Sequence, residues 1–218
     1  MDLLKILSII GPQFPPTPSE MIKEAEEKET AAASEVDADR RRDLYQSALN
    51  LRRGCILSMD AEDSTEHAAQ LEACLSDIEK LLPLVEDSTE LISRQIAVLS
   101  LLFSMSTGRW KEYLFSIGTA LTKKVENDLR LEYRMDALED YHHAAILLRY
   151  VYYHTEQPDE ELLAAEKTPE LALTDVQERL LSEILPEEFI PVLLSKLFKD
   201  YSETIKEFSV PENADSCL

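Results

Sequence analysis

The amino-acid sequence predicts an all-α protein, an irregular helical bundle of about six to eight helices, on three observations. The chain of 218 residues has only four glycines, too few for the turns of a sheet protein of this length. Apolar residues recur at steps of three and four along most of the chain. Residues 129–154 contain no Gly or Pro and become apolar on nearly every side from Ala144 onward, which predicts a central buried helix.

The first 42 residues form a distinct segment in the prediction. A short amphipathic helix is predicted for residues 1–10, from apolar residues at i, i+3, i+4 and i+7: Leu3, Ile6, Leu7 and Ile10. Four prolines among residues 11–18 favour an extended spacer, and Thr17 with Glu20 has the pattern of a capping box. Acids outnumber bases from Glu20 to Asp39, so we expect either a solvated helix or a partly disordered acidic arm, outside the core in both cases.

The packed helical domain is predicted to span residues 43–209. Its first helix carries an apolar stripe that continues through Gly54. The pentapeptide EDSTE then occurs at 62–66 and at 86–90, and each copy offers side-chain oxygens that can accept hydrogen bonds from the first amides of a helix. These two starts predict helices over roughly 64–82 and 88–106.

The second half of this domain continues the helical pattern. Residues 109–124 form a predicted helix in which Gly118 marks a close helix crossing or a kink, and the helix over 129–154 follows. Short helices are expected in the acidic stretch 156–178. A last helix starts at Pro186, and its apolar stripe extends to Phe208. Residues 210–218 form a polar C-terminal tail.

Composition narrows the function classes. A net charge of −21 repels phosphate backbones, so nucleic acid and anionic membranes are disfavoured as main partners. Three irregularly placed cysteines indicate neither a disulfide framework nor a zinc site. No apolar run reaches membrane-spanning length, and the N-terminus does not have the pattern of a secretory signal. We therefore expect a cytoplasmic and/or nuclear protein.

The strongest pattern for metal chemistry lies on the predicted central helix, where one polar face carries Asp136, Glu139, Asp140 and His143. A helical carboxylate site needs a matching Glu-x-x-His set on a second helix, and the sequence has none. It also lacks a G-x-S-x-G elbow and a Gly-rich phosphate loop. We expect no enzyme activity, no metal and no cofactor. A carboxylate-metal hydrolase is the weakest of three alternatives.

A helical RNA- or DNA-handling protein is the second alternative. Its basic face would be formed by four cations: Lys123, Lys124, Arg130 and Arg134. The stretch 136–148, DALEDYHHAAILL, resembles one helix of the translin family of RNA-handling helical proteins. The resemblance covers about one helix, and the family's following Gly-Glu-Leu type motif is missing, so no site residue is carried over.

Two terminal features favour partner binding. The predicted helix with Leu3, Ile6, Leu7 and Ile10 is typical either of a docking helix for an apolar groove or of a helix folded back on its own domain. The C-terminus, with Ser216 and Leu218, fits the S-x-Φ pattern that PDZ-type grooves bind as an added strand. We therefore expect a non-catalytic adaptor or structural subunit of an intracellular complex that binds protein partners through apolar helical faces. The oligomeric state is left open.

Overall fold

The computed structural model describes residues 16–59, 64–105, 108–131, 134–153, 155 and 186–209, without the side chains of 134–136, 149, 152–153 and 186–190. The described part contains eight α-helices and no strand, which confirms the all-α prediction. No helix of these ranges is long and apolar enough to cross a membrane. The helices are α1 (Pro18–Ser34), α2 (Ala38–Leu57), α3 (Ser64–Leu81), α4 (Thr89–Met105), α5 (Trp110–Arg130), α6 (Arg134–Tyr153), α7 (Pro186–Asp200) and α8 (Ser202–Lys206).

Local side-chain caps begin two helices where the sequence predicts them. Thr17 Oγ1 accepts a hydrogen bond from the Glu20 amide at 3.3 Å, and the Glu20 carboxylate accepts one from the Thr17 amide at 2.8 Å. This confirms the predicted capping box. In the second EDSTE copy, Asp87 Oδ1 accepts from the Thr89 amide at 3.0 Å, at the first residue of α4. Such caps satisfy amides that have no partner within the helix.

Successive helices pack on one another along the chain. From α1 to α6 each helix lies chiefly against the next, and the short connections make neighbours antiparallel. Helix α7 packs on α6, and α8 packs on α4. In α4 the seven consecutive residues 96–102 are all buried, because this helix contacts α3, α5 and α8. The core therefore lies around α4.

The segment 129–154 differs from the prediction, and the central position expected for it is not shown. Leu129 and Arg130 are the last residues of α5, the chain turns at Leu131, and α6 begins only at Arg134. Its chief neighbours are α5 and α7. One continuous helix could not fold back on itself, so the break allows the apolar stripes of α5 and α6 to bury each other.

Helix α1 corrects the expectation of an acidic arm outside the core. Met21, Ala25 and Ala32 are buried, and α1 packs along α2. These residues form a narrow stripe that also includes the partly buried Glu29, while the acids Glu24, Glu26 and Glu27 are exposed. The predicted domain start at Asp43 falls inside α2. The division into 1–42, 43–209 and 210–218 remains a prediction, and the acidic stretch 156–178 lies outside the described residues.

Candidate functional site

A polar cleft lies where α4, α5, α6 and the α7–α8 junction meet. It encloses about 330 Å³. Side chains from all of these elements line it, among them Ser93, Lys124, Asp140, His143, Asp200 and Tyr201. We refer to it as the Lys124 cleft. The structure thereby places together residues that the sequence assigned to two different sites, namely Lys124 of the basic face and Asp140 with His143 of the metal pattern.

Lys124 is the cation at the base of the cleft. Its ammonium donates to Asp128 Oδ2 at 3.3 Å, one turn along α5, and to Asp140 Oδ2 on α6. Burial lowers the pKa of Lys124, but the hydrogen bond to Asp140 and the charges of Asp140 and Asp128 outweigh this effect and raise the pKa overall. The ammonium therefore stays charged and joins α5 to α6.

Asp140 and Asp128 are the carboxylates on either side of that ammonium, and both are buried. Burial raises the pKa of Asp140, and the hydrogen bond and charge of Lys124 only partly offset this shift. Two carboxylates thus share one ammonium in a poorly solvated place. The charge of this group is negative even before the acids at the rim, Glu139 and Asp200, are counted.

His143 and Tyr201 supply uncharged polar groups. His143 is only 9% exposed, and its Nδ1 has no hydrogen-bond partner. Burial lowers the pKa of His143, more than the nearby carboxylates raise it, so its ring is neutral at physiological pH. Burial raises the pKa of Tyr201, which keeps its hydroxyl protonated. A neutral imidazole has one nitrogen that donates and one that accepts a hydrogen bond, and a tyrosine hydroxyl can do both.

The proposed metal pattern is only partly described. Glu139 forms an ion pair with Lys196 of α7, Asp140 binds Lys124, and the side chain of Asp136 lies outside the described residues. Among the residues that the structure describes, no group of three His, Cys, Asp or Glu side chains could hold a metal ion. The carboxylates of Glu139 and Asp140 are thus both engaged with amines.

Of the four cations of the predicted nucleic-acid face, the three whose side chains are described divide between the cleft and a separate groove. Lys124 is held in the cleft, and the side chain of Arg134 lies outside the described residues. Lys123 and Arg130 line a separate open groove of about 670 Å³, together with Glu79, Glu86 and Glu126. Arg130 donates to the side chain of Asn127 at 2.8 Å and to the Glu86 carbonyl. This groove mixes both signs of charge.

A second buried ionic cluster was not anticipated. Arg52 of α2 is buried, and it donates to Glu29 of α1, to Asp77 Oδ2 of α3 at 3.3 Å and to Gln70 Oε1 of α3 at 2.9 Å. Asp77 is fully buried, and its Oδ1 has no partner. The sequence contains one indication of this cluster. Arg52 is a charged residue four positions after Ala48, on the apolar face of its helix, where a buried cation needs acidic partners.

The terminal docking residues Leu3, Ile6, Leu7, Ile10, Ser216 and Leu218 lie outside the described residues, so their predicted role stays a prediction. No protein-family model matches the chain, and neither a curated protein nor a solved structure matches it. The function is therefore inferred from the contacts and charges of the residues themselves.

Proposed function

We propose that the protein is a non-catalytic adaptor or structural subunit of a cytoplasmic or nuclear multiprotein complex, and that it binds basic protein partners through its acidic helical surface. One observation carries the proposal. The buried cation Arg52 and the partly buried cation Lys124 form ion pairs between helices. Arg52 of α2 pairs with Glu29 of α1 and Asp77 of α3, and Lys124 of α5 pairs with Asp140 of α6. Their contacts favour a role in joining the helices.

The surface supports the choice of partner. Exposed Asp and Glu outnumber exposed Lys and Arg in the described part of the chain, in line with the net charge of −21. A field of this sign speeds association with basic proteins and disfavours phosphate backbones. Among the described residues, the large exposed apolar side chains lie far apart in the sequence: Val36, Leu57, Met105, Leu129 and Val192. Charge therefore supports the proposal better than a broad apolar face does.

The arrangement of the helices supports it as well. Helix α1 packs chiefly on α2, which leaves its other faces exposed. The exposed face of α1 carries Glu24, Glu26 and Glu27 beside its buried stripe. Such a surface remains available for a partner.

Affinity capture from a native lysate, with bound species identified by mass, tests the proposal. The full-length protein is compared with a version that starts at Pro16, because a start at Asp43 would remove α1 and cut α2. The proposal expects one stoichiometric basic partner that is released at about 0.5 M salt, where screening is strong. Loss of that partner from the shorter version would locate docking in residues 1–15.

The control is an unrelated acidic helical protein of similar charge, which measures nonspecific retention of basic proteins. If the full-length protein captures nothing beyond this control, the adaptor proposal is wrong. If it retains nucleic acid that leaves steeply with salt, the nucleic-acid alternative replaces it.

A further inference from the structure

Glu29, Arg52 and Asp77, which we refer to as the Arg52 cluster, bring two carboxyl groups to one guanidinium group. Arg52 Nε donates to Glu29 Oε1 at 3.0 Å and to Asp77 Oδ2 at 3.3 Å, so both acids share one cation. Arg52 is buried, and Asp77 is fully buried. If both acids were ionised, the three groups would carry one uncompensated negative charge with little access to water, which is costly.

Asp77 Oδ1 indicates how this charge is avoided. Among the described residues, no donor reaches this buried oxygen. Buried carboxylate oxygens ordinarily accept hydrogen bonds, whereas an oxygen that carries a proton is itself a donor. Burial raises the pKa of Asp77 most, the charge of Glu29 and a hydrogen bond with Glu29 add to this rise, Arg52 and Lys80 oppose it, and the resulting pKa is about 7. Asp77 therefore keeps its proton up to nearly neutral pH.

The surroundings of Asp77 assign the proton of the cluster to this residue. The charged and titratable groups near it are Glu29 of α1, Arg52, Arg53 and Cys55 of α2, and Cys74 and Lys80 of α3. Burial raises the pKa of both thiols, so they stay uncharged, and Arg53 pairs with Glu207 at 3.0 Å. Helix α4 also packs on α3, and its charged side chains, Glu90 and Arg94, pair with each other at 2.6 Å. The turn Leu82–Leu84 has no charged residue.

Helix α1 is the element that loss of this proton would affect. It packs chiefly on α2, through a stripe of three buried residues with little apolar surface: Met21, Ala25 and Ala32. Its two lysines, Lys23 and Lys28, pair with acids of α1 itself. Within the described ranges, the ion pair of Glu29 with Arg52 is the only one that connects a residue of α1 to another helix. The attachment of α1 therefore depends strongly on Glu29.

Loss of the proton from Asp77 would make the two carboxylates compete for Arg52. Asp77 is fully buried on α3 and cannot reach water without a large rearrangement. The side chain of Glu29 is 23% exposed, on a helix with few other attachments, so it can move into water together with α1. In that step the proton passes from Asp77 to solvent, the Glu29–Arg52 pair breaks, and the Arg52–Asp77 pair remains.

We propose that the Arg52 cluster is a pH-sensitive switch that holds α1 on α2 while Asp77 carries a proton and releases α1 when this proton is lost. Release uncovers the buried stripe of α1 and the face of α2 beneath it, while α3 to α6 stay packed. Because opening and proton loss are linked, the equilibrium constant for opening rises as pH increases from the ordinary carboxyl pKa to about 7, and then levels off. The switch does not depend on the adaptor function.

Native-state hydrogen exchange, followed by NMR on the full-length protein from about pH 5.5 to pH 8, tests the switch. The amides of Ala25 and Ala32 report on α1, and those of Val98 and Leu99 report on α4. Protection factors remove the intrinsic pH dependence of exchange. We expect the protection of α1 to fall about tenfold between about pH 5.5 and pH 7.5 and to change little above that. The α4 amides should stay at least about tenfold better protected at every pH.

Two variants probe the switch, each with a charge-matched control at an exposed position. Asp77→Asn keeps the side-chain shape and removes the titration, so the protection of α1 should become nearly independent of pH. Glu29→Gln removes the charge that opposes ionisation of Asp77 and should reduce the pH dependence at least about threefold. Asp43→Asn and Glu26→Gln should follow the wild type.

Three results would each overturn the proposal: protection of α1 that does not change with pH in the wild type, equal protection of the α1 and α4 amides at every pH, or equal profiles for Asp77→Asn and Asp43→Asn. If Asp77→Asn does not fold, the second pair decides. A Glu29→Gln profile identical to that of Glu26→Gln then contradicts the switch, and a flattened one supports it.

Discussion

Gly118 of α5 lies against Leu148 of α6 with no room for a side chain between them. A Cβ placed at residue 118 would lie 2.8 Å from Leu148 Cγ and 2.9 Å from Leu148 Cδ2. Both residues are buried. Of the two interpretations of Gly118, a close crossing or a kink, the close crossing is confirmed. The antiparallel pair that forms one wall of the Lys124 cleft depends on this contact.

Gly118→Ala should destabilise the fold by about 1–2 kcal/mol, since crowding at the crossing outweighs the gain of about 1 kcal/mol from better helix propensity. Urea denaturation measures this change in the free energy of unfolding. Gly54→Ala is the matched control, because its Cβ would meet only the Met21 sulfur at 3.3 Å, in a flexible side chain. We expect that variant to be as stable as the wild type or more stable. Equal stability of all three proteins would contradict the crossing.

Arg52→Met should destabilise the protein by about 3 kcal/mol, because it leaves the carboxylates of Glu29 and Asp77 without their shared cation. Adding Asp77→Asn should recover part of the loss. Arg40→Met is the control, since Arg40 is exposed and its ion pair with Glu35 at 3.7 Å should contribute less than about 1 kcal/mol. Denaturation midpoints for the four proteins give the comparison. No recovery in the double variant would show that the carboxylates are not the cause.

Asp77 should make stability depend on pH. Burial, and then the charge of Glu29, raise the pKa of Asp77 to about 7, although Arg52 opposes them. The folded state thus holds this proton more tightly than the unfolded chain. The protonated Asp77 therefore contributes to the free energy of unfolding. This contribution is full below the ordinary carboxyl pKa and is lost as pH rises through about 7.

Asp77→Asn removes this titration. Urea midpoints between about pH 5 and pH 8 should show the wild type losing stability relative to the variant as pH rises. Asp43→Asn, at an exposed position, serves as the charge-matched control and should follow the wild type. Parallel curves for the wild type and Asp77→Asn would refute the assignment.

Phe208→Ala should cost about 3–4 kcal/mol, because Phe208 is fully buried although it follows the last short helix. Its carbonyl oxygen lies 3.0 Å from His67 Nε2, and the Arg53 guanidinium stands 5.5 Å from the ring centre. The neighbouring Glu207 pairs with Arg53 at 3.0 Å and with Arg94 at 3.5 Å. Residues 202–209 thereby hold α2, α3 and α4 together.

Thermal denaturation and limited proteolysis near the C-terminus measure that effect. Val192→Ala is the control, since Val192 is 65% exposed on α7 and its truncation should change stability by less than about 0.5 kcal/mol. If Phe208→Ala behaves like Val192→Ala, the packing of this segment is not part of the core.

Part of this architecture could be predicted because its causes are local. The capping box at Thr17, the cap of α4 and the apolar spacing of the helices involve residues within one or two turns of each other. The boundary between α5 and α6 was predicted between residues 124 and 129 but lies at Leu131, where no Gly or Pro marks it. It exists because α5 and α6 bury each other, which is a relation between distant residues.

The candidate site was predicted only in fragments for the same reason. Lys124 and Asp140 are sixteen residues apart in the sequence. The basic residues near Lys124 suggested a nucleic-acid face, whereas the acids and the histidine near Asp140 suggested a metal site. Arg52, Glu29 and Asp77 come from three helices, so no spacing along the chain could reveal their cluster.

The sequence by itself determined the helical class, most helix starts and the acidic character of the protein, because these depend on composition and on spacing within a turn or two. Only the tertiary structure decided that α1 joins the core, that α4 is the most enclosed helix, and that Lys124, Asp140 and His143 line one cleft. Side chains from different helices meet only when burial of the apolar stripes brings those helices together, and that burial is a property of the whole chain.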